Sequence, residues 1–230
     1  GRERYENDLL ECLTIILKSG GCTWSACRMC SYRHERYEAE SCDALLLHLR
    51  AQLAWVINEY DLIEFRMVKI FTSGSFFDSR EVPPAFLTDV AGAFRGKLVI
   101  AETRPEFVND ETLRPFMEAL DDGSWRTPLF CAIGLETSND AIREKCINKG
   151  FTFADFRDAA ERAHKAGAGV KAYLLFKPLF LTEAEAVAGV APARAVIEVA
   201  AGVRERPHPA IADEAQPGGL VHEAKDERVV

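Results

Sequence analysis

Hydrophobic positions along the chain fall into two alternating patterns. Short runs at residues 13–17, 67–71, 98–101, 129–133 and 170–176 are apolar almost throughout and rich in β-branched or aromatic residues. That is the pattern of strands covered on both faces. Between them lie stretches of helical period at 42–58, 84–94, 109–120, 140–147 and 152–166. The last opens on Thr152-Phe153-Ala154-Asp155, an N-cap followed by an acid in the first turn. It closes before Gly167, a fitting C-terminal stop. Strands separated by helices of this length predict parallel pairing with right-handed crossovers.

The five βα units predict an α/β fold, and suit an open or partial (β/α) barrel better than a doubly wound sheet, although periodicity alone does not separate the two. In either, ligands gather at the C-terminal ends of the strands. From about Glu183 the pattern changes to Ala, Val, Pro, Glu and Arg, with no further strand. Residues 184–203 are expected to be helical with a break at Pro192, and the segment from Pro207 onward to be disordered. The chain therefore divides into a core domain, 1–185, and an atypical tail, 186–230; there are no internal repeats.

Composition adds limits. A chain of 230 residues, 48% hydrophobic and 28% charged, is long enough for one substantial domain of ordinary globular balance. The net charge of −8 does not advertise nucleic-acid binding, although a local basic patch can sit on an acidic protein. No apolar stretch approaches the roughly 20 residues of a membrane span. The start, Gly1-Arg2-Glu3-Arg4, lacks the apolar region of a signal peptide, so a soluble cytoplasmic protein is expected. There are seven cysteines, an odd number in a chain too large to need disulfide staples. Three of them crowd together, which suggests metal chemistry in a reducing compartment.

Those three, Cys22, Cys27 and Cys30, follow the first predicted strand in Gly20-Gly21-Cys22-Thr23-Trp24-Ser25-Ala26-Cys27-Arg28-Met29-Cys30. Thiolates are the usual ligands of iron–sulfur clusters, and one loop can wrap three corners of a cubane. A fourth iron without a protein ligand is what S-adenosylmethionine (SAM) chemistry requires, because the amino and carboxylate groups of SAM chelate it. The competing reading is structural zinc, in which Cys22, Cys27, Cys30 and His34 supply a Cys₃His set. Zinc accounts for the cysteines but not for the polar groups at later strand ends. Cys12, Cys42, Cys131 and Cys146 are scattered and read as small apolar residues. His34, His48 and His164 are expected to be solvent-facing or structural.

Four later strand ends carry polar groups. After the second predicted strand, Ser73-Gly74-Ser75 would let backbone approach a ligand closely, or would be a plain turn. After the third, Glu102 and Arg104 could hold an amino group or ribose and a carboxylate, or form a surface ion pair. Glu136 follows the fourth strand. Lys171 lies in the fifth and Lys177 ends it, where a carboxylate or phosphate partner competes with simple exposure. Each signal is weak alone, but successive strand ends bearing such groups form a coherent site.

The strings GCTWSACRMCSY, VKIFTSGSFFD, ETRPEF, AIGLETSND, CINKGFTF and GAGVKAYLLFKP resemble the radical SAM subunit of archaeosine synthase. That family is related to the radical SAM part of the Elongator catalytic subunit. The resemblance runs from about Leu13 to Glu185. It implies a radical SAM partial (β/α)6 TIM-like barrel, a [4Fe-4S] cluster, SAM, and a tRNA substrate in archaea. It further implies a partner, the archaeosine synthase alpha subunit, which attaches lysine to a 7-deazaguanine base in the tRNA D-arm. The radical subunit then acts as a lyase-type enzyme, breaking a C–N bond of the lysine portion to leave the formamidine of archaeosine.

By motif, Cys22, Cys27 and Cys30 would ligate the cluster, and Ser73, Gly74 and Ser75 would contact the SAM amino group. Glu102, Arg104 and Glu136 would hold other polar parts of SAM, with Lys171 and Lys177 as candidates for a cofactor or substrate carboxylate. Two departures stand out. The spacing is C-x4-C-x2-C, with Met29 before the third cysteine. The family's sixth strand, with its Ser-Val-Asn-Pro-like segment, is not recognisable after Glu185. A frameshifted, misassembled or decayed gene is the expectation for the tail. The alternatives are a radical SAM enzyme with another substrate, or a truncated zinc- or cluster-bearing module without activity.

Overall fold

The computed structural model describes residues 1–188. The expectations for the tail beyond Ala188 lie outside the described residues. One sheet holds six strands in sequential order: β1 (Arg2–Tyr5), β2 (Asp8–Ile16), β3 (Met67–Phe71), β4 (Leu98–Glu102), β5 (Leu129–Glu136) and β6 (Gly169–Leu174). Strands β2 to β6 are parallel, as the alternation of strand and helix predicts, while β1 pairs antiparallel with β2. Between strands run α1 (Cys42–Glu59), α2 (Pro84–Ala93), α3 (Asp110–Leu120), α4 (Asp140–Ile142) and α5 (Phe153–Lys165). The short α6 (Glu183–Ala188) closes the described chain.

Side-chain alternation along each strand decides which layer it feeds. Val68, Ile70, Val99, Ala101, Cys131 and Ile133 face outward into one large core with Leu49, Phe86, Val90, Phe116, Phe156 and Ala159 from the helices. Their alternates Leu10, Cys12, Met67, Leu98, Ile100 and Ala132 form a second, smaller core on the inner face. Tyr5, Trp125 and Phe130 pack against it, with Arg66 stacked 4.7 Å over the Trp125 ring. Burying each aliphatic or aromatic side chain contributes roughly 1.5–3 kcal/mol, so this sheet is held from both sides.

Local signals place the helices. Ser41, Asn109 and Asn139 accept hydrogen bonds from the Ala44, Thr112 and Ile142 amides at the starts of α1, α3 and α4, and Thr152 with Asp155 forms a reciprocal capping box on α5. The helix expected over 140–147 is α4 followed by a π-helical turn, Arg143–Ile147. The cause is Arg143, which is buried and reaches back to the Leu135 and Thr137 carbonyls at the end of β5. Strand β1 was not expected, because four residues of alternating polarity carry little signal. The predicted fifth strand overshoots: pairing ends at Leu174, and Phe176 is exposed. Among the described residues no helix is long and apolar enough to cross a membrane.

Candidate functional site

The loop that follows β2 carries Cys22, Cys27 and Cys30 at the C-terminal mouth of the parallel strands, and all three thiols are free. It is held from two sides. On the β3 side, Glu81 is fully buried; it accepts from the Ser19 hydroxyl at 2.7 Å and from the Ser75 amide, while its backbone carbonyl accepts from the Gly20 amide at 3.1 Å. Burial pushes the Glu81 carboxyl above its ordinary pKa, with the hydrogen bonds from Ser19, Ser75 and Thr72 pulling the other way. Asp78, also buried, accepts from the Thr23 hydroxyl at 2.9 Å and from Arg80. Gly74 is pressed against the cysteine loop so closely that a Cβ there would lie 2.6 Å from the Cys22 Cα. Only glycine allows that approach.

On the β5 side, the loop docks onto residues 144–151. The Trp24 indole donates to the Asn148 carbonyl at 2.8 Å, the Asn148 side chain donates to the Ala26 carbonyl at 2.9 Å, and the Arg28 amide donates to the Ile147 carbonyl at 2.8 Å. Asn148 adopts a left-handed φ of 59°, and Gly150, with φ 77°, lies directly beneath the Trp24 ring. Arg104 spans the junction. Its guanidinium lies 5.4 Å from the Trp24 and Phe151 ring centres, donates to the Lys149 carbonyl at 2.9 Å and pairs with Glu106. It is buried, which distinguishes it from a surface ion pair. Lys149 in turn donates to Glu136 at 2.7 Å, both side chains being largely buried.

The remaining strand-end residues divide into two sets. Ser75 is buried and engaged at both its amide and its hydroxyl, which accepts from the Arg104 amide at 3.1 Å; Ser73 donates to the Glu35 carbonyl and is less enclosed. Glu102 faces inward at the end of β4, where burial pushes its carboxyl pKa up to about 7. Lys149 and the Thr72 amide oppose that rise, and Glu81 and Glu136 add to it. These interactions place Glu102, Glu81, Glu136 and Lys149 around one mouth. Lys171 stands apart: on the inner face of β6 it pairs with Glu3 of β1 at 2.8 Å, and Glu3 also pairs with Lys69 of β3. Burial works to raise the Glu3 carboxyl, but the hydrogen bonds from Lys171 and Lys69 outweigh it and hold the pKa below its usual value. Lys177 is exposed.

The thiols sit near one another and near cations. Burial raises the Cys27 pKa; Lys149 and Arg104 act to lower it, and the neighbouring Cys22 and Cys30 to raise it. Among the described residues no three His, Cys, Asp or Glu side chains converge on one point that could hold a single metal ion. His34, needed for a zinc set, instead accepts from Arg33 at 3.1 Å on the outer part of the loop. A cubane asks for a different geometry, since each thiolate meets its own iron at a separate corner. Three thiols on one clamped loop, with cations beside them, fit that donor set. Glu81, Asp78, Asn148 and Lys149 were missed by sequence reasoning. They lay inside the quoted motif strings or near them, but nothing in their spacing signals a contact to the cysteine loop.

This curled sheet of parallel strands, with a three-cysteine loop at its C-terminal mouth, is the half-barrel fold of radical SAM enzymes. The radical SAM methyltransferase TsrM from Kitasatospora setae, solved with tryptophan substrate and a SAM analogue bound, superposes with a TM-score of 0.52 at 14% identity, covering 81% of this chain and 34% of that one. In sequence, the chain is 43% identical over 182 residues to the archaeosine synthase subunit beta of Methanosarcina acetivorans, a match spanning 76% of this chain and 51% of that protein. It is 38% identical over 184 residues to the archaeosine synthase subunit beta of Thermococcus kodakarensis, spanning 76% of this chain and 55% of that protein. The resemblance drawn from the motif strings is thus borne out, and the chain spans about half the length of these curated relatives. No family model matches the chain.

Proposed function

We propose that this chain is the radical SAM portion of an archaeosine synthase β subunit. On this reading it binds a [4Fe-4S] cluster and SAM and breaks a C–N bond in the lysine adduct on a 7-deazaguanine base of tRNA. The observation that carries the reading is the clamped cysteine loop facing inward carboxylates at the mouth of the half-barrel, in a chain 43% identical to such a subunit over 182 residues. Cys22, Cys27 and Cys30 would ligate three irons. When bound, the cluster supplies the electron that cleaves the SAM sulfonium to a carbon radical.

The chain's own residues would bind and orient the cofactor. Ser73 and Gly74 offer backbone to the SAM amino group, Ser75 holding that turn against Arg104. Glu102 would take the ammonium in its ionised form. Glu136, steadied by Lys149, keeps a second oxygen for a ribose hydroxyl or the amino group. Arg104, already bound to Glu106 and to the Lys149 carbonyl, would align the SAM carboxylate with its remaining donors. The lysine adduct on the tRNA base would be made first by an archaeosine synthase alpha subunit.

Anaerobic reconstitution with iron and sulfide tests this. The expected outcome is a brown protein with about four irons per chain, which cleaves SAM under reductant and, with the alpha subunit present, converts lysine-adducted tRNA. Cys27→Ala is expected to lose the cluster's absorbance and SAM cleavage together. A colourless protein holding stoichiometric zinc would overturn the proposal.

A further inference from the structure

The inner wall of the half-barrel holds a charged group that the cofactor site does not use. Glu3 accepts from Lys171 at 2.8 Å and also pairs with Lys69, and the three side chains remain 24%, 32% and 19% exposed, respectively. Below them lies the apolar inner core around Cys12, Met67 and Leu98, with Ile100 beside Lys69. Above them the same strands carry Phe71 and Tyr173, whose rings lie 6.3 Å apart, and the Lys171 ammonium is 5.7 Å from the Tyr173 ring. Glu102 stands at this upper level too; burial pushes the Tyr173 phenol pKa up, and Glu102 adds to that rise.

A stitch between β1 and the barrel needs one lysine for one carboxylate. Here two ammonium groups share Glu3, and among the described residues no other acid lies within ion-pair distance of either. That leaves one ammonium more than there are carboxylates on a partly enclosed wall, open to water or to an incoming anion. Lysine's flexible stem lets an ammonium turn from Glu3 to an incoming ligand, which a rigid guanidinium would resist. The position, one layer beneath the strand-end carboxylates, means an anion held there directs the rest of its molecule toward the mouth.

We propose that Lys69 and Lys171 form an anion subsite that receives the carboxylate of the substrate's amino-acid portion, with Glu3 holding the two lysines in place. A single net charge suits a monoanionic carboxylate rather than a phosphate dianion. The proposal rests on the reading of the site above in naming an amino-acid adduct as the ligand. It assigns Lys171 to the substrate rather than to SAM.

Two probes that differ only in the carboxylate test it on the reconstituted, SAM-loaded protein. L-lysine and 1,5-diaminopentane are titrated separately and binding is followed by saturation-transfer NMR. L-lysine is expected to bind the wild type, with Lys171→Met and Lys69→Met each weakening it by roughly 10- to 100-fold, the worth of a charge-assisted hydrogen bond. Diaminopentane should be indifferent to both changes, and Lys171→Arg should recover only part of the lysine affinity, because the charge returns without the flexible stem. Wild-type affinity for L-lysine in both methionine variants overturns the subsite, as does equal wild-type affinity for the two probes. The same pair attached to tRNA separates the two levels of the argument. Failure of the wild type to convert lysine-adducted tRNA, with L-lysine binding intact, refutes the substrate reading and not the subsite. Conversion of that tRNA that is unaffected by Lys171→Met and Lys69→Met refutes the subsite and not the reading.

Discussion

The cysteine loop is gripped by two regions of opposite chemistry. On the β3 side the groups that hold it are buried carboxylates, Glu81 and Asp78, which accept from its hydroxyls. On the β5 side they are carbonyls and cations: Asn148 and Ile147 accept from Trp24 and Arg28, and Lys149 and Arg104 lie close enough to favour ionised Cys27. The acidic side sets where the loop's backbone runs. On the cationic side burial still pushes the Cys27 thiol up, with Lys149 and Arg104 opposing that rise. On the proposed reading the loop would hold thiolates and would need both, because hydroxyl-to-carboxylate anchors alone would leave the thiols facing only negative charge.

Four changes break or sharpen this contrast. The largest effect is expected at Lys149→Met, which leaves Glu136 buried without its cation and should cost about 3–5 kcal/mol. Chemical denaturation of the metal-free protein measures it, and Glu136→Gln placed on top should restore much of the loss.

Next comes pH. Glu102 has a pKa near 7 in the folded chain against 4.5 for an ordinary glutamate, so folding binds a proton between those values. Stability from this group is complete below about pH 4.5 and falls as pH rises to 7, by at most about 3 kcal/mol at roughly 1.4 kcal/mol per unit. Melting temperature against pH for wild type and Glu102→Gln checks this, the variant being flatter over that interval. For a ligand ammonium the sign reverses: SAM binding should tighten as pH rises through 7, with proton release visible by calorimetry in two buffers.

Glu81→Ala is expected to cost about 1–3 kcal/mol by leaving the Ser75 amide unpaired, and to lower iron retention after reconstitution more than it lowers the melting temperature. The smallest effect belongs to Trp24→Phe, which keeps the ring over Gly150 but loses the bond to the Asn148 carbonyl. About 1 kcal/mol is expected, with protease cutting of the cysteine loop as the sensitive readout.

The residues that could be read ahead of the structure are those whose signal is local. A nearly continuous apolar run places β3 at both ends, because a strand covered on both faces is apolar almost throughout, Lys69 being the one polar interruption. Thr152 and Asp155 announce α5 because a cap acts within one turn. Three cysteines in one loop announce a metal or cluster donor set without any fold, with zinc and iron–sulfur both open at that stage. Four residues of β1 acquire their meaning only by pairing with the start of β2, and the π turn exists because Arg143 is buried against carbonyls of β5.

The candidate site shows the same division more sharply. Cys22, Cys27, Cys30, Glu102 and Glu136 were legible as residue types at strand ends, and the parallel order of the sheet was enough to place those ends together. Glu81, Asn148 and Lys149 were not, since each acts across a long separation in sequence and looks like an ordinary loop residue until the chain is folded. Lys171 makes the point from the other direction. From the sequence it was one more polar group near a strand end. Only the curl of the sheet, which brings β1 to β3 and β6 across the inner wall, decided that its partner is Glu3. The sequence by itself determined the three-thiol loop and the parallel α/β order, because both are written in neighbouring residues. The tertiary structure alone decided what holds the loop and which charges face inward, because those depend on distances that no local pattern encodes.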